Sequence, residues 1–332
     1  MPNSDTISGS ELLNMLNIYP RRILSTLRAI FVWLKRERKF KKFLDRVRDI
    51  SDHENKSGVI LIVIQPWLLT PLPWYLIAVA FAFHFSGKNV NIIWDDMNTD
   101  FSVRNLLCVL QQNSIRRIIK IIPHFIKCMR LSDYSDIEVS LPPSFRIDHL
   151  VRKNKIIHYR GEVYSKGEED FANTVEKKIK NTARHIQSFL NNNRPSYIIV
   201  GGGGYGASGI WLELARPMNI RVATIDAGFS ILLISTDGIA ANLEDIERAF
   251  KLLPEEDSPW IIAEAQQELQ KRVHGEDQFT SQIAQPGGDV GKFGVLLPLN
   301  QSYDLSALER HNVFGSQTEW LLETIDWVLK NS

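Results

Sequence analysis

A glycine-rich stretch in the second half of the chain has the clearest chemical meaning. Residues 201–209 read Gly-Gly-Gly-Gly-Tyr-Gly-Ala-Ser-Gly and separate a short apolar segment from a helix-like one. Because glycine lacks a Cβ atom, its backbone can turn tightly and approach a ligand closely. A helix behind such a loop directs backbone amides toward an anion or a sugar hydroxyl. Asp226 ends the next apolar segment, where its carboxylate could accept a hydrogen bond from a ligand hydroxyl.

Two other interpretations of this loop are open. The same residues fit G-x-G-x-x-G from Gly201 and from Gly204, with Asp226 placed like the ribose-binding acid of a dinucleotide site. A nicotinamide or flavin oxidoreductase is therefore a rival function. Four consecutive glycines meet that pattern partly by chance, however, and the loop follows a separate β-α-β unit that has its own ligand-facing loop. The remaining interpretation is a purely structural turn.

Two adjacent carboxylates, Asp95 and Asp96, follow an earlier apolar segment. If that segment is a strand of an open parallel sheet, its carboxyl end lies where such sheets bind ligands. Burial can tune a carboxylate into a general base, and Asp96 is our candidate for that role. An N-cap for the following helix is an equally good interpretation of the pair.

Few other residues have the spacing of a catalytic or metal site. The sequence has no zinc-hydrolase histidine pair, no P-loop lysine and no G-x-S-x-G nucleophile elbow. His84 lies in an apolar segment and is expected to be a packed core residue. Cys108 and Cys128, both in a helix-like stretch, are interpreted as free thiols of a reducing cytoplasm. We expect no metal and no cofactor.

Two β-α-β patterns are expected to position the glycine loop and the carboxylates. Continuous runs of β-branched residues are typical of strands covered on both faces. Strands that alternate with helices predict an α/β fold with a Rossmann-like parallel sheet. The predicted strands are 59–64, 90–94, 197–200 and 221–225, and the helices between them are 74–85 and 210–215.

Residues 58–85 are almost uncharged, but they are not predicted to cross a membrane. Pro66, Pro71 and Pro73 divide them into halves that are each shorter than the roughly 20 residues of a spanning helix. We expect a buried strand, a loop and a buried helix instead. Further helices are predicted at 103–130 (broken at Pro123), 168–190, 244–252, 259–273 and 316–329, with a less regular region around His149 and His158.

The segment Pro20 to Arg48 is basic and amphipathic. Apolar residues recur at helical spacing, and lysines and arginines stand between them. Such a helix can lie on an anionic membrane surface, or it can pack on the protein and show a solvated basic face. Both interpretations are open. The formal net charge of +1 gives no support for a nucleic-acid partner.

Three stretches together resemble the capsule and surface polysaccharide biosynthesis family of glycosyltransferases, which have the two-domain GT-B fold. The first stretch is Thr-Pro-Leu-Pro-Trp-Tyr at 70–75, with the helix that leads to Trp-Asp-Asp at 94–96. The second stretch is 202–209 together with Ile-Asp-Ala-Gly at 225–228. The third begins with Leu-Pro-Leu-Asn at 297–300 and continues through Asp304, Phe314, Glu319, Trp320, Thr324 and Ile325.

The resemblance implies an acceptor-binding first domain and a second domain that holds a nucleotide-sugar donor. It implies that Asp96 and Asp226 are the catalytic residues, with Asp96 as the base and Asp226 bound to a hydroxyl in the cleft. Asn300 and Asp304 are implied to bind substrate, facing the cleft from the hinge. The partners would be a nucleotide sugar, a glycan acceptor and an anionic membrane, in the cytoplasm or at the inner face of the plasma membrane. The residues implied to shape the cleft are Gly203, Gly204, Tyr205, Gly206 and Ser208.

The resemblance also divides the chain into domains. A helical segment is expected at 1–50, a Rossmann-like acceptor-side domain at 51–275, a linker at 276–291 and the start of a donor-side domain at 292–332. One strand and one helix cannot close a second sheet, so donor binding would need a complementary chain or a further domain. A non-catalytic scaffold subunit of polysaccharide assembly is therefore a further alternative.

Overall fold

The computed structural model describes residues 20–47, 56–67, 70–97, 106–134, 139–159, 167–228, 231–236, 238–242, 245–276 and 317–331. Within these residues the chain is an α/β protein with a six-stranded sheet and nine α-helices. The strands are β1 (Lys56–Ile64), β2 (Lys88–Trp94), β3 (Lys127–Arg130), β4 (Tyr197–Gly201), β5 (Arg221–Gly228) and β6 (Ile231–Ser235). The helices are α1 (Pro20–Val47), α2 (Leu72–Phe85), α3 (Leu106–Ile119), α4 (Ile147–Tyr159), α5 (Glu168–Asn193), α6 (Gly206–Ala215), α7 (Ile246–Lys251), α8 (Ser258–Val273) and α9 (Gln317–Asn331).

The strand order is β3-β2-β1-β4-β5-β6. All neighbouring pairs are parallel except β5 and β6, which are antiparallel. This confirms the predicted parallel α/β sheet, and β1 to β5 follow the order of Rossmann-like folds. Consecutive parallel strands need helical crossovers, and α2, α3 and α6 supply them between the strands that flank the site.

Side chains that alternate along β1 fill two separate cores, one on each face of the sheet. Leu61 and Val63 pack with α5 and α6, whereas Ile62 and Ile64 pack with α2. Burial of each such aliphatic side chain is worth about 1.5–3 kcal/mol. Helices cover both faces of the sheet at β1, so apolar residues do not alternate with polar ones along this strand. The strand is therefore as apolar as part of a membrane span. None of the described helices is long and apolar enough to cross a bilayer.

Helix α1 packs on the sheet domain along one of its faces. Trp33 stacks on Trp74 of α2 with ring centroids 4.6 Å apart, and Phe43 meets Phe81 edge to face at 5.5 Å. Glu37 lies in this interface, where burial alone would raise the pKa of its carboxyl. Hydrogen bonds from Arg117, Ser114 and Lys41 outweigh that effect and lower the pKa of Glu37 to about 2.

Several predicted elements differ from the structure. The helix predicted over 103–130 ends at Ile119, and residues 127–130 form β3 instead, so Cys128 lies in a strand. Pairing with β2 overrides the helical periodicity of so short a segment. The irregular region around His149 is helix α4. Helix α6 begins at Gly206, four residues before the predicted start, and β6 was not predicted.

Candidate functional site

The strand order reverses between β1 and β4. We call the region outside the carboxyl ends of these two strands, between the loops that follow them, the crevice. The chain leaves β1 toward β2 on one side and leaves β4 toward β5 on the other. Open α/β sheets bind ligands at such a switch point. The loop that follows β1 begins at Gln65, and the glycine loop follows β4 at Gly202. The structure therefore places the glycine loop at the position where this architecture binds ligands.

The glycine loop is folded tightly beneath an aromatic side chain. Gly202 has φ +77°, and a Cβ atom there would lie 2.7 Å from the indole of Trp67. The ring of Trp67 is 5.9 Å from that of Tyr205. Gly203 has φ +106°, and a Cβ atom there would lie 2.7 Å from the methyl of Thr224. Only glycine fits this backbone between Trp67 and the neighbouring strand.

Hydrogen bonds within the protein occupy two of the loop amides. The amide of Gly202 donates to the carbonyl of Ile225 at 2.8 Å, and the amide of Gly203 donates to Oγ of Ser208 at 2.9 Å. The same Oγ donates to the carbonyl of Tyr205 at 2.9 Å. Ser208 is fully buried, so it holds the loop in shape and does not face a ligand. The expectation that these two amides point at a ligand is wrong.

The opposite wall of the crevice comes from the loop after β1. Gln111 of α3 fixes this loop, because its Oε1 accepts from the amide of Trp67 at 2.7 Å and its Nε2 donates to the carbonyl of Thr70 at 3.3 Å. Gln65 is buried, and its Nε2 donates to the carbonyl of Gly201 at 3.3 Å. Its Oε1 is buried and has no hydrogen-bond partner within the described residues. A buried acceptor without a partner costs free energy, and a hydrogen bond from a water molecule or a ligand hydroxyl would recover that cost.

Asp95 lies beneath the crevice at the end of β2. Its side chain is 1% exposed and accepts hydrogen bonds from Nε1 of Trp211 at 3.4 Å and from the amide of Met97 at 3.2 Å. Burial raises the pKa of Asp95 to about 6, and the two hydrogen bonds only partly offset this effect. A carboxyl with such a pKa can exchange a proton near neutral pH, but this one touches no open space. It is therefore placed to hold Trp211 of α6 against β2.

Asp96, the predicted base, is engaged in a different network. Its carboxylate accepts from the guanidinium of Arg130, from the amide of Ser132 at 3.0 Å and from the hydroxyl of Ser132 at 2.9 Å. These contacts tie the end of β2 to the end of β3. The next described helix begins at Leu106, and the contacts of Asp96 are with Arg130 and Ser132, so they do not make it an N-cap.

The other predicted residues are distributed as follows. Asp226 lies in β5, one strand from the glycine loop, and is half-buried. Asn300 and Asp304 lie outside the described residues. Within the part of the chain that the structure describes, no group of three histidine, cysteine or acidic side chains could hold a metal ion. His84 is fully buried and stacks on Phe125 at 4.4 Å, as expected for a core residue.

Sequence patterns alone did not single out Gln65, Trp67 or Trp211 as site residues. The first two follow β1 directly, and the rule that ligands bind at a switch point could have identified their loop once the strand order was known. Trp211 lies in an apolar helix, where an aromatic residue predicts only core packing.

No family model and no curated protein sequence matches this chain.

Proposed function

We propose that this protein acts in the transfer of a sugar from a nucleotide-sugar donor to a glycan acceptor during synthesis of bacterial surface polysaccharide. The observation that carries the proposal is the crevice between β1 and β4, with its glycine loop, aromatic rings and buried free acceptor. Pockets for small polar ligands combine aromatic walls with a few oriented polar groups. Here Trp67 and Tyr205 are the aromatic groups and Gln65 supplies the acceptor.

A second observation supports this proposal. The stretches 70–75 and 202–209, which carry the family resemblance, lie far apart in the sequence and flank the same crevice. A Cβ atom at Gly201, next to the second stretch, would lie 2.6 Å from Cδ2 of Leu72 in the first. The two stretches that carry the resemblance therefore pack close together in the fold. On this basis we assign the acceptor side of a GT-B-like enzyme to the sheet domain.

The described geometry favours a glycan over a dinucleotide. A pyrophosphate needs several free amides at the glycine loop, and those of Gly202 and Gly203 are already bonded within the protein. The indole of Trp67 also covers Gly202, where the closest approach of a pyrophosphate would occur. Donor phosphates would then be bound by a complementary domain.

We expect Asp226→Asn to weaken oligosaccharide binding by about tenfold, because a hydrogen bond from a hydroxyl to a carboxylate is stronger than one to a neutral amide. Isothermal titration with oligosaccharides of glucose, galactose, N-acetylglucosamine and sialic acid measures this loss. Glu255→Gln, an exposed acid in a distant turn, is the matched control and should leave the affinity unchanged. Equal affinities for the wild type and Asp226→Asn would remove Asp226 from the site.

We also propose that helix α1 places the protein on an anionic membrane. Its inner face is buried in the sheet domain, whereas three apolar side chains on its outer face are exposed: Leu27 by 56%, Phe31 by 68% and Leu34 by 43%. At 3.6 residues per turn, Lys35 and Arg38 fall on the same side as Phe31, and both are exposed. Apolar side chains flanked by cations fit the interface of an anionic bilayer.

The double variant Phe31→Ser, Leu34→Ser is expected to reduce sedimentation with vesicles of phosphatidylcholine and phosphatidylglycerol by about tenfold, because the apolar area that enters the interface is lost. Leu269→Ser on α8 is the control, since Leu269 is similarly exposed but lies beside Glu268. Equal sedimentation of the double variant and the wild type would contradict membrane docking through α1. Binding that persists in vesicles of phosphatidylcholine alone would contradict the role of the cations.

A further inference from the structure

A groove of about 410 Å³ lies beside the edge strand β3, between this strand and the end of α3. Its volume is in the range of sites that bind small molecules. Three cationic side chains line it, namely Arg116, Lys120 and Arg130, together with the aromatic rings of Trp94 and Tyr134. Because β3 lies two strands from β1, the groove is separate from the crevice at the switch point.

The cations of the groove outnumber its carboxylates. Arg116 and Lys120 are exposed and four residues apart, and neither has an acidic partner among the residues that the structure describes. Asp133 is the one acid in the lining, and it is exposed. Like charges held on one surface without partners repel each other, and an anionic ligand would relieve that repulsion.

The third cation is held in a defined orientation. Arg130 is paired with Asp96, whose own carboxylate is fixed by two hydrogen bonds from Ser132. The guanidinium also lies 5.6 Å from the ring centroid of Trp94, and Nε1 of Trp94 donates to Gln112 at 2.6 Å. An arginine held on two sides loses little conformational entropy when it binds.

We propose that this groove binds a phosphate ester, with Arg130 as the oriented ligand and Arg116 and Lys120 as the cations that neutralise its charge. Guanidinium groups match the oxygens of a phosphate through paired N–H donors, which favours an oxyanion over a halide. Three cations in one groove favour the higher charge of a phosphate ester over a single carboxylate. The phosphate can belong to a soluble sugar phosphate or to a lipid headgroup. Asp96 acts as a positioning residue for Arg130. None of this depends on the function proposed for the glycine loop.

Isothermal titration of the full chain with inorganic pyrophosphate tests the site. We expect saturable binding that weakens by about tenfold in Arg130→Gln and less in Arg130→Lys, which keeps the charge but loses the paired donors. Arg116→Gln with Lys120→Gln should weaken binding by a similar factor. Arg216→Gln, an exposed arginine on the 3₁₀ turn after α6, is the control. No saturable binding by the wild type, or an equal loss in Arg216→Gln, would overturn the proposal.

A double-mutant cycle separates positioning from general stability. If Asp96 acts through Arg130, Asp96→Asn weakens pyrophosphate binding severalfold in the wild type and has no further effect in Arg130→Gln. An equal loss in both backgrounds would overturn the positioning role. Two further ligands identify the source of the phosphate. Glucose 1-phosphate binding that Arg130→Gln weakens by about tenfold indicates a soluble ester. The same loss for phosphatidic acid vesicles, measured in the Phe31→Ser, Leu34→Ser background, indicates a lipid headgroup.

Discussion

Replacement of Gly202 by alanine is expected to lower the free energy of unfolding by about 3–5 kcal/mol, the largest effect predicted for a single methyl group in this protein. Part of this loss comes from the backbone, since φ is +77° and L residues rarely adopt that conformation. The rest comes from the Cβ atom, which would lie 2.7 Å from the indole of Trp67. Urea denaturation measures the sum.

Gly87 offers a matched control for this substitution. Its φ is also +77°, but an added Cβ atom would have no neighbour within 4 Å. Gly87→Ala should therefore cost only the backbone contribution of about 1–2 kcal/mol. In a Trp67→Ala background, the cost of Gly202→Ala should fall to the same value, because the clash is removed. Equal costs for Gly202→Ala and Gly87→Ala in the wild-type background would show that Trp67 does not cover the loop.

Asp95→Asn is expected to remove a pH-dependent loss of stability of about 3 kcal/mol. Burial raises the pKa of Asp95 from 3.8 to about 6 in the folded protein. Between pH 3.8 and about 6, the carboxyl of Asp95 has released its proton in the unfolded chain but still holds it in the folded protein. Stability that is fully present below pH 3.8 is therefore lost as the pH rises through about 6. Asparagine carries no titratable proton, so the variant should not show this loss.

The measurement is the difference in unfolding free energy between wild type and Asp95→Asn from pH 4 to pH 8. Glu37 and Glu213 affect stability in a different pH range, because the folded protein lowers the pKa of each from 4.5 to about 2. Their stabilising contribution is lost as the pH falls below 4.5. The difference therefore isolates Asp95. If it is constant from pH 4 to pH 8, Asp95 is not the buried, proton-holding carboxyl described above.

The central part of the fold could be predicted because its signals are local and repeated. Runs such as Val59–Ile64 are covered on both faces and predict buried parallel strands before any pairing is known. Helix α6 was predicted too short, because Gly206 and Gly209 have low helix propensity and Tyr205, which precedes the helix, is not a typical N-cap residue. β3 was not predicted, since four residues at a sheet edge are recognised only by their partner strand.

The site could be predicted only in part, for a similar reason. The glycines and Asp226 are visible as residue types at a fixed spacing, and the structure brings both to neighbouring strands. The contacts across the crevice join residues more than 100 positions apart, as the hydrogen bond between Gln65 and Gly201 does. Asp96 and Asp95 are adjacent in sequence, and burial decides which of them has the raised pKa. Such differences in environment leave no local pattern.

The central claim is that the crevice between β1 and β4 binds carbohydrate, and the indole signal of Trp67 tests it most directly. Protein labelled with ¹⁵N at the indole nitrogen of its eight tryptophans gives one signal for each, and Trp67→Phe identifies the signal of Trp67. We predict that at least one member of the oligosaccharide panel shifts this signal saturably and that NAD and NADP do not. A signal that moves with either dinucleotide, and with none of the oligosaccharides, would contradict the account.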